Sequence, residues 1–252
     1  PLLARALALR PDCRALYHAC ALAHAAVGDT ASARERWQSL LASFPDDTTA
    51  RFQIAVTCHD ERRFDDAAHW YEAQAAAVPG MFAAWWNLGL VQEARGAVGS
   101  ALAAYERAAE VAPRDPRPLA RSAALHGAAA RLPEAVARLD RAIALAPNDA
   151  MLHFARAAHR SSLALHREAR DDLVRAVHLQ PGNAAGGSAL LLELQYDDSP
   201  DARTQLDDAR SAWARRHAHG PQHTPAAVPV RARLRVGYLS PRFGDAPPAA
   251  LL

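Results

Sequence analysis

The chain has 252 residues, half of them hydrophobic and 22% charged, which is enough apolar material for a continuous core and excludes a globally disordered polymer. Its net charge of +2 is close to balance and its basic residues are scattered, so composition carries no nucleic-acid footprint. Lysine is absent, which excludes chemistry built on a P-loop lysine or a Schiff-base lysine.

The opening run 2–10, Leu-Leu-Ala-Arg-Ala-Leu-Ala-Leu-Arg, reads as the second helix of a repeat whose first helix is missing, so 1–13 is predicted as a truncated repeat. Pro11 then begins a register: Pro11, Pro45, Pro79, Pro113, Pro147 and Pro181 each follow the last by 34 residues. Proline has no N–H to donate and its ring clashes with the carbonyl four residues back, so each one marks the end of a helix. Residues 14–183 therefore divide into five units, each predicted as a helix pair.

Residues 14–47 carry Tyr17, Gly28, Ala33 and Trp37, and 48–81 carry Ala67 and Tyr71. In 82–115, Trp85, Leu88 and Gly89 mark the first helix and Ala101, Tyr105 and Ala108 the second. Residues 116–149 keep Ala135, Leu139 and Ala142. The unit 150–183 keeps Ala157, Ala169, Leu173 and Ala176 but places His153 and Arg156 where first helices are usually apolar. This period, with small residues at fixed places, resembles the tetratricopeptide repeat. A two-helix unit cannot bury its own apolar face, so the predicted fold is all-α, a right-handed superhelix of stacked repeats.

After Pro181 the register is expected to fail, because Ala184-Ala185-Gly186-Gly187 lowers helix propensity. Residues 184–219 are predicted as a capping helix pair: the apolar run Leu190–Tyr196 covers the last repeat, and Asp201–His217 forms an amphipathic helix with Leu206 and Trp213 inward. The Pro-rich stretch 220–232 reads as a linker. In 233–252, Arg233-Leu234-Arg235-Val236-Gly237-Tyr238-Leu239-Ser240 alternates like one isolated strand without a partner. Both ends look cut, and the expectation is an internal piece of a longer protein or a truncated gene product.

The repeat geometry points the first helices at a concave face, which usually binds extended protein or peptide. His18, Phe52, His59, Trp86, Asn87, Arg121, Met151 and Phe154 fall on it, and the predicted protein-binding set is His18, Phe52, Trp86, Asn87, Arg121 and Phe154. The rings can hold partner side chains, and Asn87 and Arg121 can bond a partner's backbone or carboxylate. Packing between repeats is the competing role for the rings, and a solvated face for the polar pair.

No catalytic, cofactor or metal site is predicted. His217, His219 and His223 lie in a Pro/Gly-rich region without fixed geometry, and the spacings of His153, His159 and His166 do not bring three ligands to one helix face. Helix-terminus electrostatics accounts for Asp65-Asp66 and Asp171-Asp172. Cys13, Cys20 and Cys58, without CxxC spacing, read as small buried hydrophobes in a reducing compartment. No run is long enough for a membrane span and no signal-peptide pattern opens the chain, so a cytoplasmic location without membrane or nucleic-acid partners is expected.

The order of these segments carries a more specific resemblance. The repeat array, Leu190–Pro200 with its Tyr196-Asp197, the Trp213-Ala214-Arg215-Arg216-His217 helix, the linker, and Leu234-Arg235-Val236-Gly237-Tyr238-Leu239-Ser240-Pro241-Arg242-Phe243-Gly244-Asp245 resemble the junction in bacterial proteins of the SPINDLY and O-linked N-acetylglucosamine transferase family. The resemblance implies a parent glycosyltransferase with two Rossmann-like lobes. It would use UDP-N-acetylglucosamine or GDP-fucose as donor to modify Ser or Thr hydroxyls, with the repeats selecting protein substrates. Those lobes lie beyond Leu252, so the chain as given is expected to be catalytically inert. Ala246 and Ala250 stand where the family carries histidines, the first of them an active-site residue, and the family's concave Asn ladder is reduced to Asn87, its other places being Ala19, Gln53, Arg121 and Ala155. The alternative reading is a free-standing tetratricopeptide-repeat scaffold for protein–protein interaction.

Overall fold

The computed structural model describes residues 9–10, 12–196 and 201–217. Pro1–His217 and Ala218–Leu252 are separate units, and the described residues fall in the first. The predicted linker 220–232, the strand in 233–252 and most of the opening run lie outside the described residues.

Twelve helices and no strand occur among the described residues. They are α1 (Arg14–Ala26), α2 (Thr30–Ser43), α3 (Thr48–Asp60), α4 (Phe64–Ala77), α5 (Phe82–Ala94), α6 (Val98–Val111), α7 (Arg117–Ala128), α8 (Leu132–Leu145), α9 (Ala150–Ser162), α10 (His166–Leu179), α11 (Ala184–Glu193) and α12 (Ala202–His217). Each packs chiefly on its predecessor and its successor, so α1 to α10 form five helix pairs stacked in order and α11 and α12 follow on.

Local chemistry explains the repetition. The residues before the prolines, Phe44, Val78, Ala112, Ala146 and Gln180, leave helical geometry with φ between −136° and −126° and ψ between 71° and 79°. This is the extended backbone that a following proline imposes, and it ends every second helix at the same place. The turn inside each pair uses a left-handed residue at one register: Gly28 (φ 78°), Arg62 (60°), Gly96 (74°), Ala130 (56°) and Ala164 (59°). Glycine adopts that conformation at little cost, whereas Arg62, Ala130 and Ala164 are held there by the surrounding repeat. Side chains of Asp29, Asp47, Asp149 and Asn183 accept a backbone N–H at the starts of α2, α3, α9 and α11.

The core lies between successive pairs. Ala33, Ala67, Ala101, Ala135 and Ala169 occupy one register of the second helices and are completely buried, so backbones approach closely there. Trp37, Tyr71 and Tyr105 fill the next interior place in the first three repeats, and Leu139 and Leu173 fill it in the last two. Gly89 faces Tyr105 so closely that an added Cβ would run into the phenol ring.

The expected break after Pro181 is absent. A helix starts at Ala184, in register with the repeats, and Gly186 and Gly187 lie inside it. Asn183 caps the helix by accepting the Gly186 N–H at 3.1 Å. Gly187 is required for space, since a Cβ there would come within 2.6 Å of the Trp213 indole of α12. Leu190 and Leu194 join Leu173 in one cluster against which Leu206 packs.

Candidate functional site

The first helices carry a ring on one register, and each ring packs on the buried ring of its own second helix. His18 meets Trp37 at 5.2 Å with planes at 70°, Phe52 meets Tyr71 at 5.7 Å and 65°, and Trp86 meets Tyr105 at 5.5 Å and 51°. The first two pairs are edge-on and the third is tilted, geometries that suit the aromatic quadrupole. Ala120 and Phe154 continue the register, and Phe154 packs with Leu173. All four ring residues are half-buried, so one side of each is committed to the core and the other faces outward.

His18 is further tied to α3: its Nε2 lies 3.0 Å from Asp47 Oδ2, and Arg14 Nε lies 3.6 Å from the same oxygen. Burial opposes the charge on Asp47, but the Ala50 amide, His18 and Arg14 together hold its carboxyl below the ordinary carboxylate range. His18 is thereby a joint between the first two repeats.

Asn87 and Arg121, read from sequence as groove donors, also reach back to the preceding repeat. Asn87 Nδ2 donates to the Tyr71 hydroxyl at 3.3 Å. Arg121 donates to Glu93 at 2.7 Å, and the Tyr105 hydroxyl donates to the same carboxylate at 2.9 Å. Burial pushes both tyrosine hydroxyls above their ordinary range, with Asn87 and Arg121 partly offsetting it. Beside them Phe82 stacks on Trp86 at 6.0 Å and 13°, and the Arg117 guanidinium lies 5.2 Å from the Trp86 ring and 5.3 Å from Phe82. Arg117 is held by Asp115 at 2.6 Å.

The fifth repeat is built differently. Arg156 donates to Asp172 at 2.9 Å and to Asp140 at 2.6 Å, and Arg160 donates to Asp172 at 2.8 Å. His153 Nδ1 stands 3.6 Å from the same carboxylate while its Nε2 lies 3.0 Å from the Pro147 carbonyl. Asp172 is buried, so helix-terminus electrostatics does not account for it; the carboxylate is the hub that lets His153, Arg156 and Arg160 occupy interior places. His159 lies against Gly127, where a Cβ would run into its imidazole, and burial pushes its pKa down. Cys20 and Cys58 are buried thiols as expected, but Cys13 is only half-buried, at the start of α1.

A second register escaped the sequence reading. Leu22, Val56, Leu90, Ala124, Ala158 and Leu192 recur at 34-residue intervals on the first helices. Leu22 is 54% exposed and Leu192 51%, Ala124 and Ala158 are exposed, and Val56 and Leu90 are half-buried. The signal was present in the same register as the prolines, but small aliphatic residues draw less notice than rings. At its end the stripe runs into a concavity of about 250 Å³ between α9, α10 and α11 with Phe154, Leu173, Ala189 and Leu192 as apolar walls and Ser161 and Glu193 as polar ones.

Among the described residues no group of three or more His, Cys, Asp and Glu side chains is arranged to hold a metal ion, and no helix is long and apolar enough to cross a membrane.

Residues 18–82 and 61–116 match the family model of the tetratricopeptide repeat. No curated protein matches the chain. Among solved structures, the C-terminal part of a tetratricopeptide repeat-containing protein from Cytophaga hutchinsonii superposes with a TM-score of 0.70 at 12% identity, over 87% of this chain and 89% of that one. YrrB, described as a tetratricopeptide-repeat protein with an unusual peptide-binding site, gives 0.63 at 16% identity over 75% and 97%. MamA from Desulfovibrio magneticus RS-1 gives 0.60 at 16% identity over 68% and 97%. At these identities the likeness is one of fold, and the tetratricopeptide-repeat match itself lies within residues 18–116.

Proposed function

We propose that this tetratricopeptide-repeat chain is a protein-binding scaffold that takes an extended segment of a partner polypeptide along its first-helix face. The observation that carries the reading is the aliphatic register Leu22, Val56, Leu90, Ala124, Ala158 and Leu192, which stays wholly or partly exposed although the fold has interior places for apolar residues. Apolar surface left in water along one line of a stacked array is what a bound chain would cover. The outward sides of Phe52, Trp86 and Phe154 flank that line, and His18, Asn87 and Arg121 stand beside them with part of their bonding capacity already used between repeats. The peptide-binding site named for the similarly folded YrrB is in keeping with this reading. The free thiols Cys13, Cys20 and Cys58 suit a reducing, cytoplasmic setting.

A second reading makes the same face the substrate-selecting part of a protein O-glycosyltransferase whose donor is UDP-N-acetylglucosamine or GDP-fucose. Its support is the sequence resemblance carried by the Arg-Val-Gly-Tyr run at 235–238 and the Trp213 helix. Sequencing the gene beyond codon 252 tests it: several hundred residues of alternating strand and helix pattern are expected, and a stop codon there would eliminate it.

Selection of a random peptide library on the immobilised chain tests the primary reading. Selected peptides should lose binding at least about tenfold to Leu90→Glu, and keep it with Val174→Glu, which puts the same charge on an exposed residue of a second helix. Equal loss from both variants would contradict a groove on the first-helix face.

A further inference from the structure

Three carboxylates are buried among the described residues: Asp47, Asp172 and Glu193. Asp47 lies near Arg14, and Asp172 accepts from both Arg156 and Arg160. Glu193 has no guanidinium paired with it among the described residues. Its oxygens meet the Ser161 hydroxyl at 2.5 Å and His166 Nδ1 at 2.9 Å, and the imidazole is stacked on Tyr196 at 4.9 Å. A carboxylate offers about four acceptor directions, of which Ser161 and His166 take two among the described residues. Glu193 is also one wall of the 250 Å³ concavity that ends the aliphatic stripe, where Phe154 and Leu192 provide apolar surface.

This combination has a specific complement. A long side chain can lay its methylenes on Phe154 and Leu192 while its charged head reaches a carboxylate in a partly desolvated wall. An aliphatic side chain would fill the walls but leave Glu193 with only the His166 imidazole, charged when protonated, as an ionisable partner among the described residues, and an acidic one would face the carboxylate directly. We propose, resting on the polypeptide-binding reading above, that this concavity is a subsite for a basic side chain of the bound partner, with arginine preferred over lysine because its planar fork can engage both carboxylate oxygens. The partner is therefore a segment carrying an arginine among apolar residues, and its arginine sits at the α9–α11 end of the groove.

The test uses two probes of one shape, N-acetyl-arginine methylamide and its neutral citrulline counterpart, titrated into the whole ¹⁵N-labelled chain at low salt. The arginine probe should shift the amides of Ala158, Ser161, Leu192 and Glu193 and bind about fivefold or more tightly than the citrulline probe. Glu193→Gln should bring the two probes to equal affinity while keeping the melting temperature, and raising salt should narrow the gap between them. Ala158→Phe, which adds a ring to an exposed wall of the cavity, should abolish both sets of shifts. Equal affinities for the two probes in the unaltered chain, or a preference for arginine that survives Glu193→Gln, would overturn the assignment. So would shifts that ignore Ala158→Phe. Library peptides that lose binding to Leu90→Glu but are indifferent to Ala158→Phe and to replacement of their arginines would sink the subsite and leave the groove reading standing.

Discussion

The first three repeats and the fifth share one backbone and fill it with opposite chemistry. In the first three, the interior place of the second helix holds Trp37, Tyr71 or Tyr105, each met by a ring of the first helix. In the fifth, Leu173 is at that place, and the first helix brings His153, Arg156 and Arg160 inward around Asp172. What is common to both is the proline-ended second helix, the left-handed turn residue and the buried alanine. The repeat is thus specified by backbone punctuation and close approach, while its filling is exchangeable between aromatic burial and a saturated ion cluster. The two fillings should respond differently to damage: rings fail by leaving cavities, ions by leaving uncompensated charge.

Tyr105→Ala should have the largest effect, costing about 4 kcal/mol in urea unfolding, because it removes a fully buried ring and strands Trp86. Asp172→Ala should cost about 3 kcal/mol by removing the buried carboxylate that Arg156 and Arg160 share and leaving them only the half-exposed Asp140, yet the apolar triple Arg156→Leu, Arg160→Met, Asp172→Leu should unfold close to the unaltered chain. If the triple is as damaging as the single change, the ion cluster is not exchangeable and the comparison breaks.

The glycines sharpen it next. Gly89→Ala drives a Cβ into the fully buried Tyr105 ring and should cost about 2 kcal/mol, whereas Gly127→Ala meets the half-buried His159 ring, which can swing aside, and should cost less than about 1 kcal/mol.

A pH series separates charge from capping at the first joint. The Asp47 carboxyl has its pKa lowered below the ordinary 3.8, so its contribution is fully present above that value and is lost as pH falls through the lower folded value. Asp47→Asn keeps a good cap while removing the charge, and should cost about 1 kcal/mol at pH 7 and nearly nothing once the pH has fallen below the lowered folded value. A constant difference across the series would show that charge is not what joins the first two repeats. The smallest effect expected is a gain: Ala130→Gly relieves a left-handed alanine at φ 56° and should stabilise by up to about 1 kcal/mol.

The sequence made the scaffold legible because its determinants are local. Proline and the buried alanine each act through neighbouring backbone, and their 34-residue recurrence is visible without knowing any partner, whereas the left-handed turn, carried by Gly, Arg or Ala, shows only in the structure. The propensity argument at Gly186-Gly187 failed for the opposite reason: Trp213, 26 residues away from Gly187, needs the missing Cβ, and a packing requirement overrode helix propensity. His153 and Arg156 looked anomalous because Asp140 and Asp172 are assigned to them only when three helices are stacked. For the candidate site, the rings were identified by type but their inward sides, set by Trp37, Tyr71 and Tyr105, were not. The Glu193 subsite was invisible in one dimension, since its walls come from α9, α10 and α11.

The central claim is that a partner lies along the first-helix face, and it is tested most directly by placing a nitroxide on a library-selected peptide and reading paramagnetic broadening across the ¹⁵N-labelled chain. The account predicts broadening that follows Leu22, Val56, Leu90, Ala158 and Leu192 as the label is moved along the peptide, with Val174 and Leu145 on second helices unaffected. Broadening centred on Val174 and Leu145, with the Leu90 and Leu192 amides sharp, would contradict it.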